Sequence, residues 1–361
     1  MKLPLLSLFI FIGLYLLRLD AIRPSFQEGQ MVRVSGPLSE EPTLVDGRQK
    51  LVVGNIRVYL EQFPEYHYGD RIVVEGEVAK GKGGWYLKDP RVAPLDDARG
   101  KQVSLYGLRR RILELYGKFL PEPHSALLSG IVLGTKSSLA PTFFEGLKTT
   151  GTLHVVVASG MNISLFAGSI LTILAVFMGR RRAILPSLFA IFLYVALVGF
   201  QPPIVRAAIM GSIAFTAQAY GREFDAWRAL FLSAAVLLLI NPLWLFDVGF
   251  QLSFAATAGM LAFGSRLNTF LGRVPQFVRG DLATTLSAQI AVFPILLFSF
   301  GQVSLISPLV NVLILWTVPF IMIGGMIIAL LGLIFEPIGQ IAAWFVWLLL
   351  EYFVRVVGLF S

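Results

Sequence analysis

The sequence predicts a polytopic α-helical membrane protein with an inserted small all-β (OB-like) extracytoplasmic domain. Hydrophobic residues make up 56% of the 361 residues and charged residues only 14%, whereas globular domains average roughly a quarter charged residues. Long apolar stretches follow one another after residue 152, while residues 27–95 alternate with the period of two that is typical of strands.

Residues 1–26 are predicted to form an N-terminal transmembrane helix. One lysine precedes an apolar run that ends at Arg18 and Asp20. A signal peptide begins in the same way, but no small-x-small cleavage site follows the run, which favours an uncleaved helix.

Residues 27–95 are predicted to form an OB-like β-barrel domain. Short alternating runs such as QMVRVSG, DRIVVEGEVAK and GWYLKDPRV are separated by turn sequences such as HYGD and KGKGG. About four or five strands in this length suit an OB-type barrel.

Residues 96–151 are predicted to form amphipathic or interfacial helices. Leu108, Ile112, Leu115 and Phe119 recur at helical spacing, and the arginines 109–111 fall largely elsewhere on the wheel. Two locations remain open for the first helix, at the membrane surface or packed on the β-domain.

Residues 152–361 are predicted to form a multi-span channel domain with eight apolar spans. Arginines follow alternate spans, at positions 180–182, 222, 228, 266, 273 and 279. The positive-inside rule places these loops in the cytoplasm and the β-domain outside, in a multi-pass protein of the cytoplasmic (inner) membrane. The stretch 303–333 is either one tilted helix or two half-spans broken at Pro319.

The residue types present argue against enzyme chemistry. Cysteine is absent, and His67, His124 and His154 lie far apart, so no metal site is expected. The sequence has no Walker or nuclease motif, and no cofactor is expected.

Polar residues inside apolar spans are candidates for lining a passage, because polar groups at membrane depth require partners or water. Alternatively, each of them only tightens helix packing. The candidate channel-lining residues are His154, Ser159, Gly160, Asn162, Ser164, Arg206, Asp247, Gln251, Gln289 and Asn311. Arg206 and Asp247, of opposite charge and similar inferred depth, are expected to pair at the mouth of that passage or to ring it.

The hairpin AKGKGGWYLK is the candidate DNA-binding element of the β-domain. It presents Lys80, Lys82 and Lys88 around Trp85 and Tyr86, which offers cations and flat rings together. The domain has nine Lys and Arg against ten Asp and Glu, so any binding of a polyanion must be local. In the alternative interpretation, Trp85 folds into the barrel.

Four signatures in order are similar to those of the ComEC family of competence proteins. They read LLSGIVLGTKSSLAPTFFEGLKTTGTLHVVVASGMNISLFAG, PIVRAAIMG, FDVGFQLSFAATAGM and AQIAVFPILLFSFGQVSLISPLVNVLILWTVP. The resemblance implies a channel subunit that passes single-stranded DNA across the cytoplasmic membrane in natural transformation. It also implies a separate nuclease, a DNA receptor, a cytoplasmic motor, contact with membrane lipid and a possible homo-oligomer.

The chain departs from the family pattern at three places. It has one helix ahead of the OB-like domain where members tend to have more, and it is expected to be a short form lacking the C-terminal metallo-β-lactamase-like domain. Where many members read SGLH, Asn162 stands in place of the histidine.

Two other functions compete with the channel. One is a membrane-anchored OB scaffold without transport. The other is an intramembrane serine hydrolase using His154 and Ser159, although five helical residues put these side chains about 140° apart, too far to hydrogen-bond.

Overall fold

The computed structural model describes residues 5–22, 26–38, 42–45, 48–54, 56–61, 63–64, 66, 68–81, 84–94, 105–135, 139–156, 160–300, 304 and 306–361. By contacts the chain divides into two compact units. The β-unit comprises Arg23–Leu113 and Thr135–Ser138. The helical unit comprises Met1–Ile22, Glu114–Gly134 and Leu139–Ser361.

Six strands form the sheet of the β-unit: β1 (Met31–Pro37), β2 (Thr43–Val45), β3 (Arg48–Val53), β4 (Ile56–Leu60), β5 (Arg71–Gly81) and β6 (Gly84–Pro94). Their order is β1-β5-β6-β4-β3-β2. Among the described pairings only β4 with β6 is parallel, and a bridge from Leu38 to Val53 brings β1 back to β3. Without the short β2, this is the order of the partly closed OB barrel, so the predicted OB-like fold is confirmed.

The core of the β-unit comes from the inward positions of alternating strands. Leu51, Val58, Val74 and Leu87 are among its fully or almost fully buried residues. The buried amide of Gln49 donates to the carbonyls of residues 61 and 64 at 2.8 and 2.9 Å and accepts the Tyr66 N–H at 3.1 Å. This polar side chain is tolerated in the core because its hydrogen bonds are made.

Fourteen α-helices occur in the described residues. They are α1 (Leu5–Ile22), α2 (Leu105–Phe119), α3 (His124–Leu133), α4 (Pro141–Thr149), α5 (Leu153–Val156), α6 (Gly160–Met178), α7 (Arg180–Val198), α8 (Pro202–Ala219), α9 (Ala226–Ile240), α10 (Val248–Phe270), α11 (Gln276–Phe300), α12 (Ser307–Ile314), α13 (Val318–Ile334) and α14 (Glu336–Phe360).

Six helical stretches of the described chain are long and apolar enough to cross a membrane. They are Leu153–Met178, Arg180–Val198, Val248–Phe270, Val278–Ser299, Ser307–Ile334 and Glu336–Phe360. The described residues of all eight apolar spans are mainly helical, but α9, with 15 residues, is shorter than these six, and α8 is not among them. The chain is therefore a multi-pass α-helical membrane protein with an inserted β-domain.

Pro319 tightens the backbone instead of splitting its span into separate half-spans. A 3₁₀ turn, Leu315–Thr317, joins α12 to α13 immediately before it. Proline lacks an N–H and clashes with the carbonyl four residues earlier, so the preceding turn cannot remain a regular α-helix.

Helix α2 continues from one unit into the other, and its apolar positions are only partly those expected. Ile112, Leu115 and Phe119 are buried, but Leu108 is exposed. Arg109, which the wheel assigns to the polar face, is buried, with its guanidinium 5.3 Å from the centre of the Tyr68 ring. Burial over an aromatic ring offsets part of the cost of desolvating this cation.

Candidate functional site

Arg206 is a buried cation at the junction of α6, α8 and α10. Its side chain extends from the second turn of α8, and Nη1 donates to the carbonyl of Ser253 and the hydroxyl of Thr257 on α10. The guanidinium also lies 5.8 Å from the centre of the Phe254 ring. Only 9% of the residue is exposed, so α10 supplies most of what replaces water around this charge.

Gly160, the first residue of α6, leaves the space that the guanidinium occupies. A Cβ at this position would lie 2.6 Å from Nη2 of Arg206 and 3.3 Å from the Cβ of Ala207. No larger residue fits without displacing Arg206, so two residues predicted from the sequence belong to one site.

The charge of Arg206 has no anionic partner within the described part of the chain. No carboxylate there lies within ion-pair distance, and the buried Nε has no hydrogen-bond partner. Burying a charge without a counter-charge costs several kcal/mol, by order of magnitude. The arrangement is chemically suited to accept an anion, and a phosphate matches the two-pronged donor geometry of arginine.

Asp247 does not pair with Arg206, so the predicted ion pair is wrong, while ringing of a passage by the two residues stays a prediction. Asp247 is the exposed N-cap of α10, and its Oδ1 accepts the N–H of Phe250 at 2.8 Å. The partners of Arg206 begin at Ser253, six residues and about 9 Å further along the same helix. The N-cap requirement of α10 explains an aspartate at this position.

A second polar cluster joins the turn before α5 to α12. The Gly151 carbonyl accepts from Ser307 Oγ at 3.4 Å and from Nδ1 of His154 at 2.8 Å, and the Nδ2 of Asn311 donates to Ser307 at 3.2 Å. Because a carbonyl only accepts, Nδ1 of His154 carries the proton in this contact. Gln289 donates to the carbonyl of Ser304 at 3.0 Å.

The remaining polar candidates make short-range or structural bonds. Asn162 is buried and its Nδ2 donates to the Ile131 carbonyl of α3 at 2.8 Å. Ser164 donates to the Gly160 carbonyl at 3.0 Å, and Gln251 to the Leu245 carbonyl at 2.9 Å. Ser159 lies outside the described residues, so the His154–Ser159 hydrolase pair stays untested. Lining of a passage by any of these residues stays a prediction.

The candidate DNA-binding hairpin divides between the two faces of the sheet. Trp85 packs on the barrel core and meets the Phe26 ring edge-on, with centroids 6.3 Å apart. Lys80 lies on the same side, with Nζ 6.0 Å from the centre of the Trp85 ring. Tyr86 and Lys88 lie on the other face. Lys82 is outside the described residues.

The match to a family of known proteins covers most of the helical unit. The sequence pattern described as "Competence protein" matches residues 131–361. The chain belongs to the competence protein family.

Individual relatives agree with this assignment. ComE operon protein 3 of Bacillus subtilis (strain 168) is 28% identical over 251 residues, which are 68% of this chain and 31% of that protein. Competence protein ComA of Neisseria gonorrhoeae is 28% identical over 246 residues, 63% of this chain and 33% of that protein. An uncharacterized Escherichia coli (strain K12) protein, YcaI, is 23% identical over 227 residues, 59% of this chain and 30% of that protein. The chain thus spans about a third of each of these relatives. No solved structure matches it.

The competence-family match contains every part of the Arg206 site, from Gly160 to Thr257, but none of the strands β1–β6. Sequence reasoning identified Arg206 and Gly160 but missed Ser253 and Thr257. The one available signal was their spacing of four, which puts both residues on one face of α10. In the described residues, no group of three or more His, Asp or Glu residues is placed to hold a metal ion.

Proposed function

We propose that this chain forms part of the path by which single-stranded DNA crosses the cytoplasmic membrane in natural transformation. Membership of the competence family supports a role in DNA uptake, as do the names of ComE operon protein 3 and competence protein ComA. Six membrane-length helices provide the setting for such a path.

One observation carries the proposal: Arg206 is buried without an anion in the described chain. DNA brings one phosphate per nucleotide, and a guanidinium binds phosphate by charge-assisted hydrogen bonds. Each passing phosphate would supply, for a moment, the counter-charge that the protein itself does not provide. The site then needs only one cation, because every nucleotide presents the same group in turn.

Under this proposal, the path is closed at this site in the conformation described, because Arg206 is buried there. Nε of Arg206 has almost no accessible surface, so a phosphate reaches the guanidinium only after α10 or the beginning of α6 moves. Gly160 suits such a movement, since it places no side chain against Arg206. We assign the opening of the passage to this junction.

The proposed orientation in the membrane rests on the positions of the arginines, and the proposed partners rest on membership of the competence family. Arginines at 180–182, 222, 228, 266, 273 and 279 lie near helix ends or in the turns between helices. In this proposal, by the positive-inside rule, those ends and turns face the cytoplasm and the β-domain lies outside. A separate nuclease, a DNA receptor and a cytoplasmic motor complete the machinery in this proposal. Self-association of the chain belongs to the same proposal.

Deleting the gene and measuring cytoplasmic uptake of marked DNA, separately from DNA bound at the surface, tests the function. Complementation with the wild type should restore uptake, and Arg206→Gln should lower it about a hundredfold, because truncating one side of a buried charge interaction costs about 3 kcal/mol. Arg206→Lys keeps the positive charge but lacks the paired N–H donors of the guanidinium, so it should retain more DNA uptake than Arg206→Gln. Arg228→Gln, which removes an exposed arginine, is the matched control and should transport normally.

Protein in the membrane is quantified in each strain, so that loss of transport is separated from loss of the protein. Normal uptake in the deletion strain would contradict the proposal and favour the OB scaffold. Normal uptake with Arg206→Gln at wild-type abundance would remove the phosphate role while leaving the family role intact.

A further inference from the structure

The outer face of the β-sheet carries an arrangement that the sequence did not reveal. Leu51, Val58 and Leu87 point into the core, so their neighbours on β3, β4 and β6 point outward. The register places Arg57 opposite Tyr86 and Lys50 opposite Tyr59. Three adjacent strands, about 10 Å across, therefore bring these side chains together on one face.

Two aromatic rings meet at the centre of this face. Tyr59 and Tyr86 have centroids 6.5 Å apart and planes inclined at 75°. Both side chains are partly exposed. An edge-to-face pair leaves ring surface on each partner for another flat group to stack on.

Cations surround the two rings. Lys50, Arg57 and the exposed Lys88 are on the same face, and no ion pair within the described chain engages any of them. The outward positions of β3 and β4 hold no acidic residue. We call Lys50, Arg57, Tyr59, Tyr86 and Lys88 the tyrosine surface.

Two of the three acidic residues in the strands are on β5, and the third, Asp89, follows Lys88 on β6. Glu75 is engaged by Arg33 at 3.2 Å, and Glu77 stands opposite Lys88 in the register. The near-neutral charge of the whole domain thus conceals a basic region on one part of its sheet. Local attraction of a polyanion is possible there, although the domain as a whole has none.

We propose that the tyrosine surface binds single-stranded DNA, with unpaired bases stacked on Tyr59 and Tyr86 and phosphates held by Lys50, Arg57 and Lys88. Aromatic rings with interspersed cations match this ligand, since every base presents a flat face and every nucleotide a negative charge. A duplex keeps its bases stacked internally and cannot use the rings. The ligand is that of the proposed transport function, but the surface is separate from the Arg206 site and its binding needs no transport.

Equilibrium binding of a fluorescent oligo(dT) to the full chain, purified in detergent at low salt, tests the proposal. Tyr59→Ala and Tyr86→Ala should each weaken binding about tenfold, whereas Tyr→Phe at either position should retain it, since stacking needs the ring and not the hydroxyl. Arg57→Gln and Lys88→Gln should each reduce the slope of log affinity against log salt by about one. Unlabelled single strands should compete better than duplex of the same length.

The matched control is Arg71→Gln, an exposed cation of the same sheet about 20 Å along β5 from the position opposite Lys88. It should change neither affinity nor salt slope beyond about twofold. Unchanged affinity in the Tyr59→Ala/Tyr86→Ala variant, with wild-type thermal unfolding, would overturn the proposal. Equal competition by duplex and single strand would also overturn it, because binding would then not involve unpaired bases.

Discussion

Two polar sites of the helical unit, each built around a buried basic side chain, balance charge in opposite ways. Near the N-terminus of α3, His124 contacts Glu351 of α14 at 2.7 Å, and Arg355 binds the other oxygen of that carboxylate at 2.6 Å. The His124 ring also lies beside Trp347, with centroids 5.8 Å apart. At the other site, Arg206 receives a carbonyl, a hydroxyl and a ring face, but no carboxylate from the described residues.

This difference is the basis on which we propose that the first site is structural and the second takes a ligand. A carboxylate held between two basic side chains has its electrostatic needs met inside the protein, so the cluster ties α3 to α14 and requires nothing else. A cation that only dipoles and a ring stabilise still gains from an anion. We expect mutations at the first site to change stability and mutations at the second to change transport.

Among changes to the neighbours of these two sites, the largest effect is expected from closing the space beside Arg206. Gly160→Ala puts a methyl group 2.6 Å from Nη2 and should displace the guanidinium, lowering DNA uptake about tenfold or more. Gly168→Ala, on the same helix with nothing within 4 Å, is the control and should leave uptake within about twofold. Equal uptake by the two variants at equal abundance would show that the position of Arg206 does not matter for transport.

Mutations in the His124–Glu351–Arg355 cluster should lower the stability of the protein and leave its transport activity unchanged. Glu351→Gln leaves His124 and Arg355 without their carboxylate and should lower the midpoint of thermal unfolding measured in detergent. Glu336→Gln breaks the exposed pair with Lys118 and should cost no more than about 0.5 kcal/mol. Uptake per folded molecule should be normal in both. A specific transport defect in Glu351→Gln would remove the contrast between the two sites.

The smallest effect is expected at Asp247. As an N-cap it should tolerate asparagine, while Asp247→Ala should cost about 1 kcal/mol of stability through the lost bond to the Phe250 N–H. Exchanging the charges, Arg206→Asp with Asp247→Arg, should restore no transport, because the two side chains have separate partners. Recovery of uptake in the exchange variant would revive the pairing that the geometry contradicts.

The OB-like barrel and the helical spans were predictable because each depends on local periodicity. Alternating valines and leucines such as Val58 and Leu87 identify inward positions, and long apolar runs identify spans. The meeting of Tyr59 with Tyr86 was not predictable, because it depends on a parallel pairing between strands that are distant in sequence and on a register shift in β5 between Glu75 and Glu77.

The same limit applies to Arg206. A charged side chain at membrane depth costs free energy, and for that reason the sequence alone made Arg206 and Asp247 candidates. Their partners depend on where α8 crosses α10, which no local pattern encodes. An aspartate immediately before an apolar helix was open to a simpler interpretation, since an N-cap needs no distant partner.

Site-specific photo-crosslinking during uptake tests the central claim most directly. Ser253 accepts the Arg206 hydrogen bond through its backbone carbonyl, so a photoreactive residue can replace Ser253 without removing that hydrogen bond. The matched position at the other site is Trp347, which lies beside His124. Labelled single-stranded DNA arrested in transit should crosslink at position 253 and not at position 347. Crosslinking at both positions equally, or none at 253 while the variant still takes up DNA, would contradict a passage that runs past Arg206.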